Sequence, residues 1–142
     1  DSPDGHVGEW HDFGGEYSDG NGWLDIATAQ LVLGRSENDR RGFAVKYEAA
    51  ENALYLRDEN LVDWIGPGTV GERVRLSIGS VQLECWRSSV GNDDDQVLQV
   101  TWRGRWQRPT SQPKEMTAYL RAIDQMGNDS GFAEMGTWTL LP

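Results

Sequence analysis

A chain of 142 residues is most simply one domain, long enough to bury about two-thirds of the surface its unfolded form exposes. Its formal charge of −10 and its pI near 4.5 argue against a nucleic-acid binder, whose phosphates require a basic footprint, and against a binder of anionic lipid surfaces. No run approaches the roughly 20 apolar residues of a membrane helix, and with Cys85 as the single cysteine no intrachain disulfide can form.

Successive strand residues point to opposite faces, so runs that alternate apolar and polar side chains mark half-buried strands. Residues 1–8 are polar and contain Gly and Pro, which predicts a flexible N-terminal segment ahead of a single domain over 9–142. A first strand is expected over 9–17, with Phe13 and Tyr17 on one face, and Ser18-Asp19-Gly20-Asn21-Gly22 is the strongest turn in the chain. A second strand follows over 24–33, with Ala27, Ala29, Leu31 and Leu33 on the same side, and then a charged loop over 34–41. Phe43, Val45 and Tyr47 alternate with Ala44, Lys46 and Glu48, residues 49–52 turn, and 53–57 return as the hairpin partner. Residues 58–71, containing Trp64-Ile65-Gly66-Pro67-Gly68, read as a long loop.

Val74, Leu76 and Ile78 alternate, Gly79-Ser80 interrupts as a bulge or a hairpin, and Val81, Leu83 and Cys85 alternate again. After the acidic turn Gly91-Asn92-Asp93-Asp94-Asp95, the segment 97–106 sets Leu98, Val100, Trp102 and Trp106 on one face. Gln99, Thr101, Arg103 and Arg105 take the other face. A linker over 109–113 and strands over 116–123 and 136–140 complete the set. Eight or nine strands without a helical period predict an all-β fold of two packed antiparallel sheets.

Phe13 with Tyr17-Ser18-Asp19 and Gly22 opens a recurring pattern. Tyr47, Asn52-Ala53-Leu54-Tyr55-Leu56-Arg57-Asp58 and Trp64-Ile65-Gly66 continue it, and Ala122-Ile123-Asp124 with Gly127 and Gly136-Thr137-Trp138 close it. In this order they resemble an Ig-like repeat of large secreted or surface-anchored bacterial proteins, over about 13–140. The resemblance implies an Ig-like antiparallel β-sandwich without catalytic activity, acting as a spacer, adhesive or assembly module outside the cytoplasm. Relatives with this pattern often carry two cysteines, one in the third strand and one near the position of Cys85. Here Phe43 or Ala44 stands at the earlier position, so that bridge is missing.

Few residues select a chemistry. Asp19-x-Asn21-x-x-x-Asp25 places three oxygen ligands around a glycine-rich turn, a candidate calcium site whose members serve equally as turn caps. Asp124, before a glycine turn, is expected to bond backbone N–H groups. His6 and His11 could join Asp4 or Asp12 on a metal, although both lie at the start of the chain. No serine or cysteine stands in a nucleophile motif and no carboxylate pair is singled out, so the chain is not expected to be an enzyme or to hold a resident cofactor. Asn128-Asp129-Ser130 is a glycosylation sequon, relevant where the producing cell has that pathway.

Trp102-Arg103-Gly104-Arg105-Trp106-Gln107-Arg108 is the most distinctive cluster. On a strand, Arg103 and Arg105 share the outer face, with Arg87 near on a neighbouring strand. Arg87, Arg103, Arg105, Arg108 and Trp10 are therefore the expected protein interface, the alternative being pairing with the protein's own acids. The expected partners are other subunits of a homo- or hetero-oligomeric assembly. Few lysines, abundant Asp, Gly, Trp and Thr, and an opening Asp1 in place of Met lead us to expect an exported, extracytoplasmic chain, periplasmic or at the cell surface. The second expectation is a carbohydrate-binding module, because seven tryptophans leave room for exposed stacking platforms.

Overall fold

The computed structural model describes residues 3–142, with the side chains of all of them except Asp93 and Asp94. Two sheets lie face to face. The larger holds β1 (Asp4–His6), β3 (Ile26–Gly34), β4 (Phe43–Glu48), β5 (Ala53–Arg57), β6 (Trp64–Thr69), β10 (Lys114–Asp124) and β11 (Ala133–Leu141). Its strand order is β1-β11-β10-β3-β4-β5-β6. The smaller sheet holds β2 (His11–Ser18), β7 (Arg75–Ser77), β8 (Val81–Asp94) and β9 (Val97–Trp106), in the order β2-β9-β8-β7. Every pairing is antiparallel except that of β1, which runs parallel to β11.

The alternation written in the sequence is what builds the core. Along β9 buried and half-exposed residues alternate without a break, and Leu98, Val100, Trp102 and Trp106 face inward as expected. They meet Leu31, Leu33, Phe43, Val45, Leu54 and Leu56 from the larger sheet. Each such side chain contributes about 1.5–3 kcal/mol on burial. At one end an aromatic cluster ties the sheets together: Trp106 of β9 stacks on Trp138 of β11 with ring centroids 5.1 Å apart, and Phe13 of β2 meets both rings edge-on. Edge-to-face and offset arrangements satisfy the ring quadrupoles and contribute about 0.5–1.5 kcal/mol per pair beyond burial.

The structure departs from the sequence reading in five places. Eleven strands form among the described residues, not eight or nine. The 58–71 segment is not all loop, because β6 pairs with β5 despite Gly66-Pro67-Gly68; β6 is the outermost strand, where a proline removes no shared ladder bond. The start of the chain, expected as flexible, carries β1, whose Asp4, Gly5 and His6 pair with Thr139, Leu140 and Leu141; residues 1 and 2 lie outside the described part. Residues Trp23–Asp25 form a 3₁₀ turn ahead of β3, and β3, which lies centrally between β10 and β4, is buried along nearly its whole length and does not alternate. Finally, β8 runs on to Asp94, so the expected acidic turn narrows to the β8–β9 connection at Asp95 and Gln96; the side chains of Asp93 and Asp94 lie outside the described part.

Gly79-Ser80 proves to be a hairpin, closed by the Ile78 N–H donating to the Val81 carbonyl at 3.0 Å. Opposite β9, β8 bulges between Glu84 and Ser89. Ser88 fills the bulge: its hydroxyl donates to the Glu84 carbonyl at 2.7 Å and accepts from the Arg103 N–H at 3.0 Å. This bulge aims the side chains of 84–87 and so shapes the outer face of the smaller sheet.

Candidate functional site

The outer face of the four-stranded sheet concentrates cations and aromatic rings. Period-two geometry puts Arg103 and Arg105 of β9 there, with Glu84 of β8 opposite Arg103 and Arg75 of β7 opposite Glu84. Glu84 is buried at 4% exposure and accepts from Arg75 Nη2 and from the Trp86 indole Nε1–H, each at 3.2 Å. Its other oxygen lies 3.7 Å from Arg103 Nε. A second carboxylate, Asp12, takes Arg103 Nη1 at 3.2 Å. A buried carboxylate is tolerated because cations and donors surround it on that face.

Two tryptophans are covered by guanidinium groups. Trp10 has Arg105 at 4.5 Å and Arg75 at 5.1 Å from its ring. Trp86, 36% exposed, has Arg87 at 4.5 Å and Arg73 at 5.5 Å. Guanidinium groups over aromatic faces are attracted by the ring quadrupole, about 0.5–1 kcal/mol at exposed sites, and Arg105 is further fixed by its Nε–H donating to Gln82 Oε1 at 2.7 Å. Five arginines thus share one face of a chain whose formal charge is −10, and the carboxylates bonded to them are Glu84 and Asp12.

Four of the five expected interface residues, Trp10, Arg87, Arg103 and Arg105, come together here. Arg108 does not: it pairs with Glu59 at 3.2 Å beside Gly79, at the β7–β8 hairpin. Sequence reasoning missed Arg73, Arg75, Glu84 and Trp86. Parity carried the signal, since Glu84 and Trp86 alternate with inward Leu83 and Cys85.

The candidate calcium turn resolves differently. Asp19 and Asp25 converge with Asp124, their ligand oxygens within 4.8 Å of one another. Gln125 N–H donates to the Asp25 carbonyl at 2.7 Å and brings the end of β10 to the turn. Asn21 donates its backbone N–H to Asp19 Oδ1 at 2.8 Å, a turn-capping role. Asp25 Oδ2 is buried without a hydrogen-bond partner. Desolvation, and then the neighbouring Asp19 and Asp124, push the Asp25 carboxyl above its ordinary range. Asp124 is held low by hydrogen bonds from the Asn128 side chain and from backbone N–H groups, the turn role expected of it.

Among the described residues neither histidine belongs to a group of three or more metal-ligating side chains: His6 Nδ1 lies 2.9 Å from the Pro142 carbonyl, and His11 packs against Trp138. Cys85 is fully buried against Gly68, and burial pushes its thiol up to about 11. Of the seven tryptophans, Trp102, Trp106 and Trp138 are buried in the core. Lys46 lies over the half-buried Trp64 and Tyr55 rings at 4.6 and 5.0 Å. Comparison of the chain with family models, curated proteins and solved structures found no match.

Proposed function

We propose that this chain is a non-catalytic protein-binding module, an extracytoplasmic structural or accessory subunit of a cell-surface or envelope assembly, which docks through the outer face of its four-stranded sheet. One observation carries the reading: Arg73, Arg75, Arg87, Arg103 and Arg105 are arrayed around Trp10, Trp86 and buried Glu84. Guanidinium groups held against rings lose less freedom on binding than free side chains and present bidentate donors to a partner's carboxylates. Tryptophan and arginine are also the residues that dominate protein interfaces.

The fold reading behind this is an Ig-like sandwich. A short first strand parallel to the last, and β2 pairing across the smaller sheet with β9, the strand that precedes β10 and β11 in the chain, support it. A thiol raised by burial is a poor nucleophile, which supports a non-catalytic role. The carbohydrate reading needs bare, coplanar rings, whereas guanidinium or ammonium groups lie over Trp10, Trp86, Trp64 and Tyr55.

The test is site-specific photo-crosslinking in cells that produce the chain, from position 87 on this face and position 55 on the opposite sheet. Crosslinks to another polypeptide from position 87 alone, lost in the Arg73→Gln/Arg105→Gln variant, are expected. Glycan-array binding that survives those substitutions, with no protein crosslink from position 87, overturns the reading.

A further inference from the structure

We propose that β2 accepts an added β-strand from another polypeptide, whose inward side chains are apolar and whose outward side chains are basic. This rests on the reading of the chain as a protein-binding module but uses the edge of the smaller sheet in place of the ring-and-arginine array on its outer face, so either proposal can fail alone.

The smaller sheet has four strands against the seven of the larger, and β2 is its outermost strand on one side. Among the described residues no strand pairs with the far edge of β2, and it is eight residues long without a proline or a lysine. The other sheet ends are blunted: β1 and β7 have three residues each, and β6 contains Gly66-Pro67-Gly68. A long, unblunted edge offers a row of backbone donors and acceptors to an incoming strand.

Beside that edge the interior is open. A cleft of ≈ 380 Å³ runs between Phe13 and Gly14 of β2 and the inner face of the larger sheet at Leu33, Ala118 and Trp138. On β10 the inward row begins with buried Met116, but Ala118, Leu120 and Ala122, which share its parity and pack against the core, stay partly exposed. They lie opposite Leu33, Leu31 and Ala29 of β3, which are buried. The uncovered row therefore lies where one more strand next to β2 would pass over it. Apolar side chains at every second position of that strand would enter the cleft.

Charge selects the other face. Of the outward residues of β2 that a neighbouring strand would meet, Asp12, Gly14, Glu16 and Ser18, the charged ones are both acidic. Asp12 is bonded to Arg103, and Glu16 accepts from uncharged Gln99 at 3.1 Å. Opposite charges on directly facing cross-strand positions are favourable and like charges are not, so basic outward residues fit and acidic ones do not.

The test uses the whole chain and the synthetic peptide KVTVKVTVK, with amide hydrogen exchange read residue by residue. The β2 amides are expected to exchange at least tenfold more slowly with the peptide, while amides of β7 keep their rates. Replacing the four valines by proline should abolish the protection. Ala118→Arg should abolish it by filling the cleft; Glu16→Lys, at an exposed position, should weaken it and serves if Ala118→Arg does not fold. Unchanged β2 exchange, equal protection at β7, or equal protection by the proline peptide overturns the proposal. Concentration-dependent dimerisation that the peptide competes away overturns the partner assignment in favour of a second copy of this chain.

Discussion

Glu84 and Trp86, two residues apart on β8, are joined by a hydrogen bond from the indole Nε1–H to the buried carboxylate at 3.2 Å. The same oxygen takes Arg75 at the same distance, so one carboxylate sets the position of an aromatic ring and of a cation that covers another ring, Trp10. Strand alternation sets both residues on the outward face, and the Ser88 hydroxyl, donating to the Glu84 carbonyl at 2.7 Å, closes the bulge between Glu84 and Ser89.

That carboxylate should be the structural hub of the arginine face. Glu84→Gln is expected to lower stability in urea unfolding by about 1–2 kcal/mol, the cost of leaving donors and a partly buried charge without their acceptor. Half-exposed Arg75 is screened by solvent, so the loss stays below that of a fully buried ion pair. Arg73→Gln, at the exposed rim, is expected to change stability by less than about 0.5 kcal/mol. Equal losses for the two variants would sink the hub assignment.

The three carboxylates at the first turn give a pH-dependent expectation. The Asp25 carboxyl is raised in the folded chain, chiefly by desolvation and then by Asp19 and Asp124. A carboxyl raised above its unfolded value favours folding while protonated, and that contribution is lost as pH rises through the folded value. Asp25→Asn should therefore raise the melting temperature at pH 7 and leave it nearly unchanged at pH 3. A lower melting temperature for the variant at pH 7 would show that the charge is wanted there.

Asp129 has the opposite sign. Its bidentate pair with Arg121 holds the carboxyl at about 2, against an ordinary value of 3.8. A depressed carboxylate contributes stability above its unfolded value, lost as pH falls through the folded one. Asp129→Asn is thus expected to destabilise the chain at pH 7 and to match the parent near pH 2. Thermal melts across that range check it, and a constant difference at all pH values would rule out the charge as the cause.

Gly68 of β6 is packed on Cys85 of β8. A Cβ at position 68 would meet the Cys85 Sγ at 2.4 Å. Gly68→Ala should cost on the order of 1–3 kcal/mol by overpacking. In Gly68→Ala/Cys85→Ala the smaller partner makes room, so the double variant should be more stable than the sum of the two single losses. A double-mutant cycle in denaturant measures that coupling, and simple additivity would mean the contact relaxes elsewhere.

By itself the sequence determined the class of fold and the inward face of most strands. Side-chain alternation is a local property: Leu98, Val100, Trp102 and Trp106 had to share a face once 97–106 was extended, and so did Arg103 and Arg105. Turn residues did the same for Gly79-Ser80 and for the turn that follows Asp124. Tertiary structure alone decided which faces meet. Whether 64–69 became a strand depended on β5 offering an edge, and whether 4–6 became one depended on the edge of β11. Arg73 and Arg75 reached Trp86 and Trp10, and Asp124 reached Asp19 and Asp25, through pairings between segments distant along the chain. Such pairings are chosen by the burial of whole faces, and no single window of residues contains that sum.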